Sequence, residues 1–454
     1  MFASPSLAYL PNWPKNSGTP RHGRRSGDTP LSIASRRQLL RAIGGGTLLT
    51  PLASLLAAGP VASKDDPARP KSVILLWLQG GPSQLETFDP HPDAPHGGSV
   101  KRIATSLPGL EIADNLPRLA EQMHAMSLIR SVVGNEGDHE RAVYQIKSGY
   151  RPDPTLVHPA LGAILCHESD VGAEIPRHIS ILPSGRPARG GYLGPQFDAF
   201  QVNDPARPIP DVQPNVDQSR FDARVKDLLE IVEPKFAQGR LADADRTRTL
   251  HVATTRSALT MMTSQQLAAL DVSKEPQAAR DPFGDTPFGR GCLAAIRLIE
   301  VGVRCVEVTL TGWDSHINNH SLQASACQVL DPAAAALIDE LRRRDLLATT
   351  LVVIAGEFGR TPQINPAEGR DHWIHGFSVA LAGCGIRPGF VLGETAAIRD
   401  GIEPAQGVRD PVTIADLHAT MLAALGIDPA AEFQTPIKRP MKWSEGQVIK
   451  RLLA

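Results

Sequence analysis

The sequence predicts an α/β protein: a mostly parallel sheet sandwiched by helices and carrying a helical insertion. Three observations predict it. The run KSVILLWLQGGPS (71–83) is continuously apolar before it closes on Gly-Gly-Pro, as suits an interior strand covered on both faces. Helical and strand-like segments alternate at the spacing of parallel crossovers. Polar stretches follow the apolar runs, where an open parallel sheet gathers its ligands.

Residues 1–63 come first and stand apart. Residues 1–35 read as a Pro-, Ser- and Arg-rich leader. SRRQLLRAIGGGTLLTPLASLLAAGPVAS then sets Arg36 and Arg37 ahead of a short apolar run, the pattern of a twin-arginine export signal. That run holds Gly44, Gly45, Gly46 and Pro51 and is too short for a stable membrane span. The expected location is therefore periplasmic or extracellular, with the twin-arginine machinery as a partner. Of the 47 Lys+Arg and 48 Asp+Glu, seven basic residues and one acidic residue lie in 1–63, leaving the rest at −7 and arguing against nucleic acid. Aromatics are 5%, too few to announce a stacking platform. Five scattered cysteines without a Cys-x-x-Cys pair read as mostly buried thiols.

The first part of the core covers 64–195. After the opening strand, NLPRLAEQMHAMSLIRSV predicts a helix and then the strand 126–133. Residues 196–290 show no strand signal. They read as a Pro/Asp-rich loop and two amphipathic helices near 217–232 and 240–270, with Phe221, Val225, Leu228, Leu229 and Val232 at helical spacing. Met261 and Met262 are assigned to packing. The second part of the core covers 291–454. GRGCLAAIRLIEVGVRCVEVTL predicts a helix and a strand at about 304–310. Asp331 and Pro332 are read as the N-cap and first residue of a further helix, leading to the strand 350–355.

Four polar clusters fall at strand ends or on adjoining loops. They contain Gln79, Ser83, Glu86 and Asp89; Asp138 and His139; Asp314, His316 and His320; and Glu357, Arg360, Asp371, His372 and His375. Carboxylates and imidazoles converging from several loops suit a hard or borderline divalent cation. Single members also have structural readings. His320 can cap the helix that follows, His375 can pack against Trp373, and Arg360 can pair with a carboxylate.

The motifs GGPSQLETFDP, FGRGCLAAIRLIEVGVRCVEV, GWDSH, TLVVIAGEFGRTP, GRDHW and VTIADLHATMLAALGID, spread over about 73–428, resemble the twin-arginine-exported domain-of-unknown-function 1501 family. That family resembles the sulfatase and alkaline-phosphatase superfamily. The resemblance implies an alkaline-phosphatase/sulfatase-like fold and in-line hydrolysis of phosphate or sulfate esters with a divalent metal. By the same resemblance Asp314 and His316 match the middle Asp/His pair, and His372 is the later imidazole. Three departures stand out. Glu357-Phe358-Gly359 occupies the place of an Asp-His-Gly turn, and Phe358 cannot bind a metal. Gln79 ends the first strand where an acid is expected. Gly137, Asp138 and His139 occupy the nucleophile turn without a hydroxyl or thiol.

The expectation is an exported, divalent-metal-dependent hydrolase acting on a small-molecule or polysaccharide ester. The metal (zinc, calcium or manganese) would take ligands from Asp314, His316, Glu357, Asp371, His372 and Asp138. Ser83 is the nearest hydroxyl nucleophile, and His139 a nucleophile or general base. Arg360 is the anion contact, because its planar fork clamps phosphate or sulfate oxygens. A metal-activated water would need no protein nucleophile. The competing expectation is a pseudoenzyme of the same fold that binds a glycan or partner protein.

Overall fold

Strands of this chain that are apolar on both faces need a layer of helices above and below, and they receive one. The computed structural model describes residues 71–454 apart from 170–172, 211, 213, 229, 231–254, 256 and 396–406. The expected export signal, Leu229, Val232 and the expected helix from 240 as far as 254 lie outside these residues; 257–263 are helical.

Nine strands make the central sheet: β1 (Ser72–Leu78), β2 (Met126–Val133), β3 (His178–Ile181), β4 (Phe200–Val202), β5 (Cys305–Leu310), β6 (Thr350–Ala355), β7 (Phe377–Ala382), β8 (Phe390–Leu392) and β9 (Val412–Thr413). Their order is β8-β2-β7-β6-β1-β5-β3-β4, with β9 also on β2. β1 lies at the centre, Leu76 facing Val308 of β5 and Ile354 of β6 in parallel register. Every pairing is parallel except those of β7, which runs antiparallel to both β2 and β6. This one reversal matters for the site. β6 leaves the sheet at its carboxyl edge and β7 enters at that same edge, so residues 356–376 stay there throughout.

Five helices cover the sheet: α1 (His139–Ser148), α2 (Leu161–Glu168), α3 (Pro287–Glu300), α4 (Asn319–Arg343) and α5 (Ile414–Ala424). Ile74, Leu76 and Leu78 pack with Cys292, Leu293 and Ile296 of α3 and Leu337 and Ile338 of α4 on one face. Val73 and Trp77 pack with Val143 of α1, Ile164 of α2 and Leu417 of α5 on the other. Alternation along β1 thus feeds two helical layers. Among the described residues all five cysteines are free and buried, as expected.

Two elements differ from the sequence reading. Phe200–Val202 is a strand paired to β3, so the segment after 196 opens on the sheet edge before its helices; the helix Gln218–Asp227 has no buried residue. Asp331 and Pro332 lie inside α4 and do not begin it. An internal proline costs about 3 kcal/mol. The buried stripe Gln323, Ala326, Cys327, Leu330, Ala334, Leu337 and Leu341 runs through it and holds the helix continuous. Asp331 caps another helix instead: its carboxylate accepts from the Arg118 and Leu119 N–H groups at 3.0 and 2.8 Å, at the start of Pro117–Gln122.

Candidate metal centre

Loops from the carboxyl ends of β1, β2, β5 and β6 meet at one place. Gly80, after β1, makes the closest approach. Its φ is +118° and a Cβ there would lie 2.4 Å from the Asp314 backbone nitrogen, so only glycine lets the two loops touch. The turn at 365–369 is tied to the β5 loop by Asn318 N–H to Ala367 O (3.2 Å), Asn319 N–H to Glu368 O (2.8 Å) and Asn365 Nδ2 to His316 O (3.0 Å). His139 is the first residue of α1, whose N-cap Asp138 accepts from the Glu140 and Arg141 N–H groups.

Three imidazoles converge on the Asp314 carboxylate. His316 Nε2 lies 3.1 Å and His372 Nε2 3.5 Å from Oδ1, and His139 Nε2 lies 3.3 Å from Oδ2. Each ring is held from behind through Nδ1. His139 Nδ1 donates to Glu357 Oε1 (2.8 Å), His316 Nδ1 to Asp371 Oδ1 (2.8 Å), and His372 Nδ1 to the Gly137 carbonyl (2.8 Å). All three partners are acceptors only, so the Nδ1 proton is assigned by them, and in the neutral ring the Nε2 lone pair faces Asp314. His316 and His372 bring their Nε2 atoms within 3.0 Å of each other. Two lone pairs at that distance call for a proton or a cation between them.

The spacing fits a cation. Asp314 Oδ1, His316 Nε2 and His372 Nε2 form a triangle with edges of 3.0, 3.1 and 3.5 Å. Ligand bonds of about 2.0 Å around a tetrahedral ion give edges of about 3.3 Å. A second triad, His139, Asp314 and His372, has its ligand atoms within 4.8 Å of one another. The first triad is the tighter fit. Histidines anchored by carboxylates or carbonyls through the far nitrogen are also the usual supports of metal-binding imidazoles. With neutral imidazoles, Asp314, Asp371 and Glu357 against Arg360 leave the centre a formal charge of −2.

Electrostatics divide the histidines. The hydrogen bond to Glu357 raises the His139 pKa, against burial, with the charges of Glu357 and Asp314 adding to the rise. Burial lowers that of His372, despite its bond to Gly137. For Asp314, burial works upward, but the hydrogen bond and charge of Arg360 prevail and hold the carboxyl below its ordinary range. Asp371 is held low by its bond to His316.

Several expected roles change. Arg360 is fully buried and four of its five N–H donors are engaged: Nε on Gly81 O (3.0 Å), Nη1 on Arg370 O (3.0 Å), Nη2 on Gly80 O and on Asp314 Oδ1 (2.6 Å). It clamps Asp314 and two loops, and is not open to a substrate anion. Glu357 is fully buried, with Oε1 shared by His139 and the Gly80 N–H (2.9 Å). It supports His139 and is not among the triad atoms. Asp371 likewise stands behind His316. Asp138 is engaged as a helix cap. Ser83 is fully buried, its N–H on Gln323 Oε1, and no described contact joins it to the histidines. His320 pairs with buried Glu86 at 3.0 Å, and His375 packs edge-on to Trp373. Phe358 packs its ring against His139 and His372, with centroids 5.0 and 4.4 Å away.

The supporting carbonyl of Gly137 and the N–H of Gly80 carry no signal in the sequence beyond Gly80 itself, the glycine that the close approach requires. A sequence model of the family described as Protein of unknown function (DUF1501) matches residues 70–453. No curated protein matches. Among solved structures, the chain is similar to the PsFucS1 sulfatase from Pseudoalteromonas sp. (11% identity, 85% of this chain and 72% of that one, TM-score 0.38). A protein in the alkaline phosphatase superfamily from Vibrio parahaemolyticus gives 11% identity over 85% of this chain and 71% of that one, TM-score 0.37. Alkaline phosphatase from the Antarctic bacterium TAB5 gives 13% identity over 69% and 91%, TM-score 0.33.

Proposed function

The chain belongs to the DUF1501 family, and from that premise we propose that it is an exported hydrolase of phosphate or sulfate esters dependent on a divalent cation. The observation that carries the reading is the triangle of Asp314 Oδ1, His316 Nε2 and His372 Nε2, with edges of 3.0 to 3.5 Å and each ring anchored through Nδ1. These three side chains would hold the cation. When bound, it supplies Lewis acidity toward an ester oxygen and lowers the pKa of water.

The chain's own residues do the rest. Asp371 and the Gly137 carbonyl keep the two rings in the tautomer that presents Nε2. Arg360 pins the Asp314 carboxylate and so holds the triangle's third corner. His139 stands at its side with a partly exposed ring, Nδ1 bound to Glu357 and Nε2 turned toward the centre. It can take a proton from an attacking water at Nε2 and return it to a leaving oxygen, with Glu357 stabilising the charged ring. Phe358 excludes water behind the two rings.

Export rests on Arg36-Arg37 and the short apolar run after them. Among the described residues no helix is long and apolar enough to cross a membrane.

The test is elemental analysis of the protein from residue 64 onward, with hydrolysis of p-nitrophenyl phosphate and p-nitrophenyl sulfate before and after chelation. The expected result is about one divalent metal per chain, lost in His316→Ala with the fold retained. Full metal content in that variant would overturn the assignment. The buried Ser83 and the engaged Asp138 favour one second reading, a non-catalytic binding protein of the same fold. It gains if no metal binds after incubation with zinc, manganese and calcium.

A further inference from the structure

α1 has a second working face. Glu140, Arg141, Tyr144, Lys147 and Ser148, at helical spacing, line a cavity of about 670 Å³. That lies within the range of small-ligand sites. Its far wall is the segment 185–189, which follows the carboxyl end of β3, so the cavity shares the sheet edge with the histidine centre.

Charge is unevenly settled around it. The buried Lys147 ammonium is neutralised by Glu307 at 2.8 Å and donates to the Arg186 carbonyl. Arg141 shares the single carboxylate of Glu136 with Arg151. Arg186 and Arg189 have no acidic partner among the described residues, and Arg189 is exposed. The two lining acids are Glu140, exposed, and Asp198, which accepts from the Gly190 N–H at 2.6 Å, so the lining sets the four cations Arg141, Lys147, Arg186 and Arg189 against two anions. The surplus at the mouth is positive. Beside it stand apolar groups, including Val157, 52% exposed, and the Tyr144 ring. Two such arginines next to an exposed apolar wall suit a ligand with a charged group and a carbon-rich ring face. Tyr144 and His158 line the cavity, and behind them Tyr150 stacks on His158 and Tyr192 meets it edge-on.

We infer that this cavity is a binding site for a sugar-sized ligand bearing a sulfate, phosphate or carboxylate group, held by Arg186 and Arg189. It stands independently of ester hydrolysis at the histidine centre. Isothermal titration calorimetry on the chelator-treated protein tests it with three probes: a sulfated disaccharide, a disaccharide phosphate and a digalacturonate, each beside a neutral disaccharide. At least one anionic probe should bind at least tenfold tighter than the neutral sugar, and weaken as salt rises. Which one does so identifies the anion. Arg186→Ala/Arg189→Ala should weaken it tenfold or more. Gly185→Trp is the second variant, because a side chain there meets nothing within 4 Å and its φ is not positive, so the indole reaches the cavity mouth without strain. It should abolish binding while the melting temperature stays unchanged. Equal binding of anionic and neutral probes, or affinities within twofold of wild type in both variants, would overturn the inference.

Discussion

Asp371 is where the geometry of the centre can be tested most sharply, because His316 is the one member of the triangle that its carboxylate touches. Oδ1 accepts from His316 Nδ1 at 2.8 Å and from Asn365 Nδ2 at 3.3 Å, on a side chain that is 56% exposed. Asp371→Asn keeps an oxygen acceptor at that position and removes one charge, taking the formal charge of the centre from −2 to −1. Removing an outer partner of a metal-binding histidine costs about 10- to 100-fold in affinity. Exposure screens the charge, so the Asn variant belongs at about tenfold, or about 1.4 kcal/mol. Asp371→Ala also removes the acceptor and frees the ring to rotate, which should bring the loss to about 100-fold, about 2.7 kcal/mol. Competition for zinc against a chromophoric chelator measures both. Wild-type affinity in the Ala variant would refute the supporting role. Complete loss of zinc in the Asn variant would refute it from the other side, by making Asp371 a direct ligand.

Gly80→Ala forces a Cβ onto the Asp314 backbone at φ +118°, so it should cost at least about 1–3 kcal/mol of backbone strain and displace the centre; unchanged melting and zinc content would contradict this. Glu86 governs acid stability. Burial works to raise its pKa, but hydrogen bonds from His320 and Arg370 and the Arg370 charge bring it to about 2 from an ordinary 4.5. A lowered native pKa gives stabilisation that is complete above about pH 4.5 and lost as pH falls toward 2, about 3 kcal/mol in all. Denaturant midpoints at pH 5 and pH 3 should therefore differ less in Glu86→Gln than in wild type, and identical differences would exclude the pair as the cause. Burial pushes the Cys166 thiol up to about 12 and the Cys384 thiol to about 11, both within a fully buried set of five. Native protein should ignore a thiol-disulfide exchange reagent that titrates five groups after denaturation. Rapid native reaction would show an accessible thiol.

Much of the framework was legible in the chain. The strands Met126–Val133 and Thr350–Ala355 coincide with the expected runs, because an apolar stretch of that length has few ways to bury both faces. The grouping of Asp314, His316 and His372 was legible too, since loops after parallel strands share an edge. The roles within the group were not. Arg360, read as an anion clamp, proves buried, with four of its five donors taken by the Gly80, Gly81 and Arg370 carbonyls and by Asp314. Nothing local to GEFGR states which carbonyls will surround it. Asp331-Pro332, a fair helix start by local chemistry, was overridden by the apolar stripe of α4 and by the demand of another helix for a cap.

What the sequence determined by itself is the set of elements and the supply of carboxylates and imidazoles at their ends, because apolar periodicity and turn chemistry act over a few residues. What only the tertiary structure decided is who meets whom. The reversed strand β7 keeps residues 356–376 at the carboxyl edge and so delivers His372 to Asp314. The contact of Gly80 with the Asp314 backbone depends on β1 and β5, some 230 residues apart in the chain, being neighbours in the sheet. Strand order and direction are settled by burial summed over the whole core, and the positions of the polar atoms at its edge follow from that sum.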